Sequence, residues 1–285
     1  MDAPASLVTL IQSEAARLTQ YLHTLPPDAW TRPSACECWE VRDVVGHLTW
    51  IAEFYADTIS RGVQGDASLL ADRPPGDVPE AATFNTYIAQ RAIAYRERLG
   101  EQLLPTFRTR YEQLHHLLAG LSPQDWDKPC AFWRFMGNIP VRAFLPLTMQ
   151  ELAIHGWDIR SRLETTAPLS AESLSVLMAR IPVRFGVPGY ADFHLDAQAP
   201  APVRYRFGLT GAVSSTHDIV VENAKARMEP AGTATPHVTF RCATDIFVLM
   251  MYRRLTLEPV LAAGQLVVEG EQGLATAFDR WLKGA

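Results

Sequence analysis

Glu151 and His155 stand four residues apart in the segment QELAIHGWD, and His47 lies far upstream in VVGHLTWI. On a helix, an i,i+4 pair projects from one face, so a carboxylate oxygen and an imidazole nitrogen can reach one ion at about 2.0–2.2 Å. A third donor has to come from another element. His47 suits it: Val44 lies three residues before it and Ile51 four after, which places the ring on an apolar helix face. Two imidazoles, one carboxylate and an open fourth position make the ligand set of a catalytic zinc centre, which can activate water or hold a thiol as thiolate. The spacing leaves a second reading open. A Glu/His pair at i,i+4 is also common on helix surfaces, and a histidine on an apolar face is commonly a hydrogen-bonded core residue.

These residues need helices to bring them together. Residues 6–25 carry Leu7, Leu10, Ile11, Leu18, Tyr21, Leu22 and Leu25 at three- and four-residue spacing, ended by Pro26 and Pro27. After a loop with Trp30, Cys36, Cys38 and Trp39, a second helix is expected over 42–61. Residues 62–79 hold three glycines and three prolines and read as a long surface loop. Residues 80–121 are helical in pattern, broken at Gly100 and Pro105. A loop over 122–140 precedes a last helix over 141–163. The sum is a four-helix bundle whose core can carry a metal on facing helices.

The pattern changes after Thr165. One more helix fits 170–186, and short alternating segments follow: Val203-Tyr205-Phe207, Ile219-Val221 and Val238-Phe240. Residues 244–254 are helical and very apolar, 266–268 read as a strand, and 270–283 as a closing helix. The expected architecture is an all-α bundle over 1–166 followed by a smaller α+β domain over 167–285 with an antiparallel sheet.

Composition narrows the function. The chain is 48% hydrophobic and 20% charged, with 31 acids against 26 bases and no Lys/Arg-rich run, which argues against a nucleic-acid or membrane-surface partner. Its longest apolar run, 246–252, is far shorter than the roughly 20 residues that span a bilayer. The first residues carry acids and no basic segment, unlike a secretion signal, and four cysteines make no disulfide framework. A cytosolic protein is expected. There is no phosphate-binding glycine loop, no GxSxG elbow, and GEQG at 270–273 lacks a dinucleotide-binding context. His115 and His116 are adjacent and point to different helix faces. His217 and His237 read as ordinary polar positions in the strand-rich half.

The segment CECWEVRDVVGHL, from Cys36 to Leu48, resembles the opening motif of the mycothiol-dependent maleylpyruvate isomerase family within the DinB-like bundle superfamily. ELAIHGWD, from Glu151 to Asp158, is similar to that family's second motif, and Asn85 and Arg91 in FNTYIAQR resemble its middle helix. The C-terminal half is similar to a sterol-carrier-like domain, especially at DIFVLMMYRR and LVVEG. The resemblance implies a zinc, or another divalent metal, held by His47, Glu151 and His155. It also implies mycothiol as a thiol cosubstrate, attacking an electrophilic carbon of a small molecule. Isomerisation would follow from addition, rotation and elimination; a transferase would keep the thioether. The sequence departs from the family at Cys38, where a small residue, often glycine, precedes the tryptophan. Cys36-x-Cys38 is then either a soft ligand or redox pair, or two ordinary loop thiols.

A carboxylate-bearing substrate calls for arginine, whose fork matches it. Arg206, Arg241, Arg253 and Arg254 are the candidates, with Arg254 and Arg241 foremost for catalysis and Arg206 for binding. Trp39, Trp50, Trp133 and Trp157 are candidate pocket walls, Trp50 foremost, although Trp50 and Trp157 at helical spacing also read as core. Asp158, at the end of the second motif, is either a partner standing behind the metal ligands or a helix surface charge, and it joins Trp50 and Arg206 as a candidate for substrate binding. The leading expectation is a zinc-dependent mycothiol isomerase or S-transferase, as monomer or homodimer. The rival readings are a metal enzyme that activates water, and a non-catalytic ligand-binding protein with a bracing metal.

Overall fold

The computed structural model describes residues 3–69, 81–133, 136–186, 191–193 and 199–284, which form two compact units, Met1–Ala167 and Pro168–Ala285. Within the first, the helices are α1 (Ala3–Thr24), α2 (Val41–Val63), α3 (Ala81–Leu99), α4 (Leu103–Ala119) and, after a short hairpin, α5 (Phe144–Arg160). Residues 70–79 of the expected loop lie outside the described residues.

Each helix buries the stripe its spacing dictates: Val8, Ile11, Ala15, Leu18 and Leu22 on α1, and Leu103, Phe107, Tyr111, Leu114 and Leu118 on α4. α1 and α2 each pack against both α4 and α5, which closes a four-helix ring, while α3 lies along α2. α2 is the inner helix, buried continuously from Val41 to Tyr55 apart from half-buried Arg42 and Glu53. Its N-terminus is fixed by a capping box between Glu40 and Asp43. Arg96 of α3 donates to Asp43 at 2.9 Å. At Gly46 a Cβ would stand 2.9 Å from both the Ala92 carbonyl and Arg96 Cβ, so α3 can approach α2 only because that side chain is missing.

The break expected at Gly100 and Pro105 is present. Gly100 has φ 52, a short 3-10 turn follows, and Pro105 falls in the first turn of α4, where its missing N–H is not needed. The expected loop at 122–140 contains the hairpin β1 (Pro129–Ala131) and β2 (Asn138–Pro140). Gly62 of α2 sits against this hairpin, where a Cβ would clash with Cys130 Sγ.

The second unit contains α6 (Ala171–Arg184), β3 (Ala191–Phe193), β4 (Val203–Thr210), β5 (Ser215–Glu222), β6 (Lys225–Pro230), β7 (Val238–Ala243), α7 (Thr244–Met251), α8 (Leu257–Ala262), β8 (Leu266–Gly270), α9 (Gln272–Trp281) and β9 (Leu282–Gly284). Five strands form one sheet in the order β6-β5-β4-β7-β8, and β3 pairs with β9 apart from it. The sheet is mixed and not purely antiparallel, because β4 and β7 run parallel. Tyr205, Phe207 and Phe240 on one face stack with Phe247 of α7 and Phe278 of α9 at centroid distances of 4.7–6.1 Å. β6 escaped the sequence pattern because KARMEP, at the sheet edge, has no apolar alternation.

Candidate metal centre

His47 stands two turns into α2 and is 4% exposed; Glu151 and His155 project from α5. The structure brings the three together. Glu151 Oε2 lies 3.0 Å from His47 Nε2 and 3.4 Å from His155 Nε2. The two imidazole rings meet edge to face with centroids 4.7 Å apart. All three donor atoms fall within 4.8 Å of one another. His47 Nδ1 is buried without a partner among the described residues.

The opposite side of His155 is occupied too. Asp158 Oδ2 lies 2.9 Å from His155 Nδ1, and the Asp158 side chain is fully buried. That contact fixes hydrogen on Nδ1, so Nε2, which faces Glu151 and His47, is the nitrogen left to bind an ion once its own proton is displaced. Asp158 is therefore not a surface charge; it stands behind the histidine. Cys36 Sγ donates to the same Asp158 oxygen at 2.9 Å and lies 3.5 Å from His155 Nδ1.

A tight loop places Cys36. Trp39 N–H donates to the Cys36 carbonyl at 3.1 Å, and Ala35 N–H donates to the Asp158 carbonyl at 2.9 Å, which docks the loop on the last turn of α5. Cys38 closes the turn with φ 64, a left-handed conformation that glycine adopts freely. The glycine usual at this place in the resembled family thus has a backbone reason, and Cys38 bears the strain instead. Neither Cys36 nor Cys38 forms a disulfide among the described residues, and of the two it is Cys36 that contacts the cluster.

Electrostatics follow from burial and proximity. Burial pushes His47 below the usual imidazole range, and the hydrogen bond to Glu151 does not restore it, so His47 is neutral. Burial would raise Glu151, but the hydrogen bonds and charges of His155 and His47 outweigh it and hold the carboxyl well below its ordinary range. Burial would lower His155, yet Cys36, Asp158 and Glu151 around it push it well above the imidazole range. Among protein atoms alone, His155 holds a proton between two carboxylates.

The walls are aromatic. The Trp39 ring is 5.1 Å from His47 and 6.1 Å from His155, and Trp50 is 6.1 Å from His47. Trp50 is 7% exposed, with the Arg91 guanidinium 5.6 Å from its ring centre, so it is packed in the bundle beside the cluster. Tyr111 of α4 was not singled out by sequence. Burial first, and the charge of Glu151 second, raise its hydroxyl well above the usual tyrosine range.

The arginines lie in the second unit. Arg206 gives Nε and Nη2 to Asp218 at 2.8 and 2.9 Å, and Nη2 also to the carbonyls of Gly232 and Ala234. Its fork is engaged by the sheet. Arg241 is 57% exposed and faces Glu269 at 3.5 Å across the β7–β8 pair. Arg254 follows α7, with Nη1 donating to the Tyr252 carbonyl at 3.1 Å. Arg253 stands 3.4 Å from Asp279.

The family model for the mycothiol maleylpyruvate isomerase N-terminal domain matches residues 11–160, and that of the SCP-2 sterol transfer family matches residues 197–283. Among solved structures the chain is similar to a mycothiol-dependent maleylpyruvate isomerase, with 15% identity, TM-score 0.57, and coverage of 88% of this chain and 90% of that one. It is also similar to a histidine-to-alanine mutant of a mycothiol-dependent maleylpyruvate isomerase, with 14% identity, TM-score 0.61, and 94% of both chains covered. At these identities the likeness speaks for the fold. No curated protein matches the chain. With more than half of its residues matched by that first model, the chain belongs to the mycothiol maleylpyruvate isomerase family of enzymes, with an SCP-2-type α+β domain following the helical bundle.

Proposed function

We propose that this enzyme is a metal-dependent, thiol-using isomerase or S-transferase, with His47, Glu151 and His155 holding one divalent ion and mycothiol as the thiol. The supporting observation is the meeting of His47 Nε2, Glu151 Oε2 and His155 Nε2 in one largely buried place with Asp158 behind. In tetrahedral zinc coordination at about 2.0–2.1 Å, neighbouring donors stand about 3.3 Å apart. The separations of 3.0 and 3.4 Å bracket that value. Nitrogen and carboxylate donors suit zinc, and three of them leave a position for a substrate.

A divalent ion held there supplies Lewis acidity, so that a bound thiol is deprotonated at neutral pH. The chain's own residues do the rest. Burial keeps His47 in the neutral form that can ligate. Asp158 accepts the Nδ1 hydrogen of His155 and fixes the ring's direction. Trp39 and Trp50 exclude bulk water from the two imidazoles. The mycothiol sulfur attacks an electrophilic carbon of a small substrate. If that carbon belongs to a cis double bond, rotation and elimination give the trans product and return the thiol. Arg254 and Arg241 are the proposed partners of a substrate carboxylate.

Cobalt-substituted protein tests the reading. Saturating mycothiol is expected to change the cobalt d–d absorption, and Glu151→Ala to abolish it. A spectrum unmoved by saturating thiol would overturn thiol use, and undiminished cobalt binding by Glu151→Ala would overturn the ligand set.

A further inference from the structure

His155 has two faces, and the second is also lined with metal donors. Cys36 Sγ, His155 Nδ1 and Asp158 Oδ2 lie 3.5, 2.9 and 2.9 Å apart in their three pairs, and they meet the same 4.8 Å limit as the first cluster. The two nitrogens of one imidazole point away from each other, so an ion on Nδ1 is not the ion on Nε2. The chemistry of the faces differs as well. The first offers nitrogen and oxygen only, whereas the second adds sulfur, which selects thiophilic ions. Cys36 is partly exposed, which gives such an ion a route in, and Asp158 is completely buried.

We infer that Cys36, His155 and Asp158 form a second, inhibitory site for a thiophilic divalent cation such as cadmium or excess zinc, and that it competes with the first site for the imidazole of His155. Binding there replaces the Cys36 S–H and His155 Nδ1–H bonds with metal–sulfur and metal–nitrogen bonds and releases both protons to water, while Nε2 carries the ring's remaining hydrogen. The competition arises from the ring's valence. A neutral imidazole carries one hydrogen and one lone pair. While Nε2 gives its lone pair to the first site, Nδ1 must keep the hydrogen that Asp158 accepts. An ion on Nδ1 reverses the tautomer, and Nε2 then presents hydrogen towards Glu151. The inhibitory consequence rests on the functional reading of the first site; the existence of the second does not.

Cadmium and cobalt separate the two. Apo-protein titrated with cadmium is expected to show ultraviolet sulfur-to-cadmium charge-transfer absorption in the wild type and in Glu151→Ala and Cys38→Ser, but not in Cys36→Ser. Absence of that absorption in the wild type, or its survival in Cys36→Ser, would overturn the site. Protein loaded with one equivalent of cobalt is then given cadmium. Loss of the cobalt d–d spectrum in the wild type, with a several-fold higher cadmium requirement in Cys36→Ser, is the expected result. Equal sensitivity of the two proteins would overturn the competition. If cobalt never binds at His47, Glu151 and His155, the functional reading fails, while the cadmium absorption of Glu151→Ala still decides the second site.

Discussion

Each unit of this protein holds a carboxylate between two basic side chains, and the two are satisfied in different ways. In the sheet, Asp218 of β5 is fully buried and held by Arg204 and Arg206 of β4 at 2.8 Å, with Glu229 of β6 completing the network. The partners are guanidiniums, which keep their charge at any accessible pH and have no lone pair to offer. In the bundle, Glu151 is held by two imidazoles, one of them driven neutral by burial. Guanidiniums around an acid finish a structure. Imidazoles around an acid can give up the hydrogens they donate to it, and the nitrogens so exposed face one place together with the carboxylate, which is what a cation needs. The contrast separates a framework ion pair from a ligand set without appeal to sequence motifs.

Breaking the bundle's carboxylate has the largest expected effect. Glu151→Gln keeps the shape and removes the charge, and should lower zinc affinity by more than about 100-fold, beyond what loss of an outer partner does; metal content after dialysis and calorimetric titration measure it. Wild-type affinity would show that Glu151 is no different in kind from Asp218. The matching change in the sheet, Asp218→Asn, strands two arginines. Breaking a buried pair costs about 3–5 kcal/mol, and the 18% and 22% side-chain exposure of Arg204 and Arg206 reduces the expected loss to about 2–3 kcal/mol. Denaturant unfolding of the full chain should show that loss while zinc stoichiometry stays unchanged.

Acid sharpens the same contrast. Burial would raise Asp218, but the hydrogen bonds and charges of Arg206 and Arg204 win and lower it. A lowered folded value means its contribution is fully present above the unfolded carboxylate value of about 3.9. It is lost as pH falls from there through the folded value. Unfolding free energy measured across that window should fall in the wild type more steeply than in Asp218→Asn. Parallel curves would remove Asp218 from the account. Asp158→Asn comes next, because it touches the cluster only through His155. The expected fall in zinc affinity is about 10–100-fold, with stoichiometry intact at saturating zinc. The smallest effect is at the loop. Relief of the left-handed backbone by Cys38→Gly should raise stability by up to about 1 kcal/mol, since strain there is of order 1–2 kcal/mol and glycine returns part of it through chain entropy.

Periodicity carried much of this into the sequence. The apolar stripes of α1 and α4, the break at Gly100 and the i,i+4 pair on α5 are local patterns, and a local pattern needs only a short window. His47 was legible from its apolar neighbours and, together with Cys36 to Leu48, from family resemblance. What escaped was made through space. Cys36 meets Asp158 across 122 positions of chain, and no spacing rule joins a loop thiol to a helix carboxylate. Nothing in VRYRFG shows that β5 will set Asp218 opposite Arg206. The parallel pairing of β4 with β7 was hidden for the same reason: alternation tells which face a residue takes, not which strand lies beside it.

Gly46 extends the comparison from charge to mechanics. The missing side chain lets the backbone of α3 lie directly against the residue that precedes His47. α3 thereby acts as a stop against which α2 cannot move closer. The position of His47 is thus set in part by a neighbour that contributes no donor atom to the cluster. Hard-sphere tolerance at position 46 bears on the cluster's geometry alongside the chemistry of the side chains that face it.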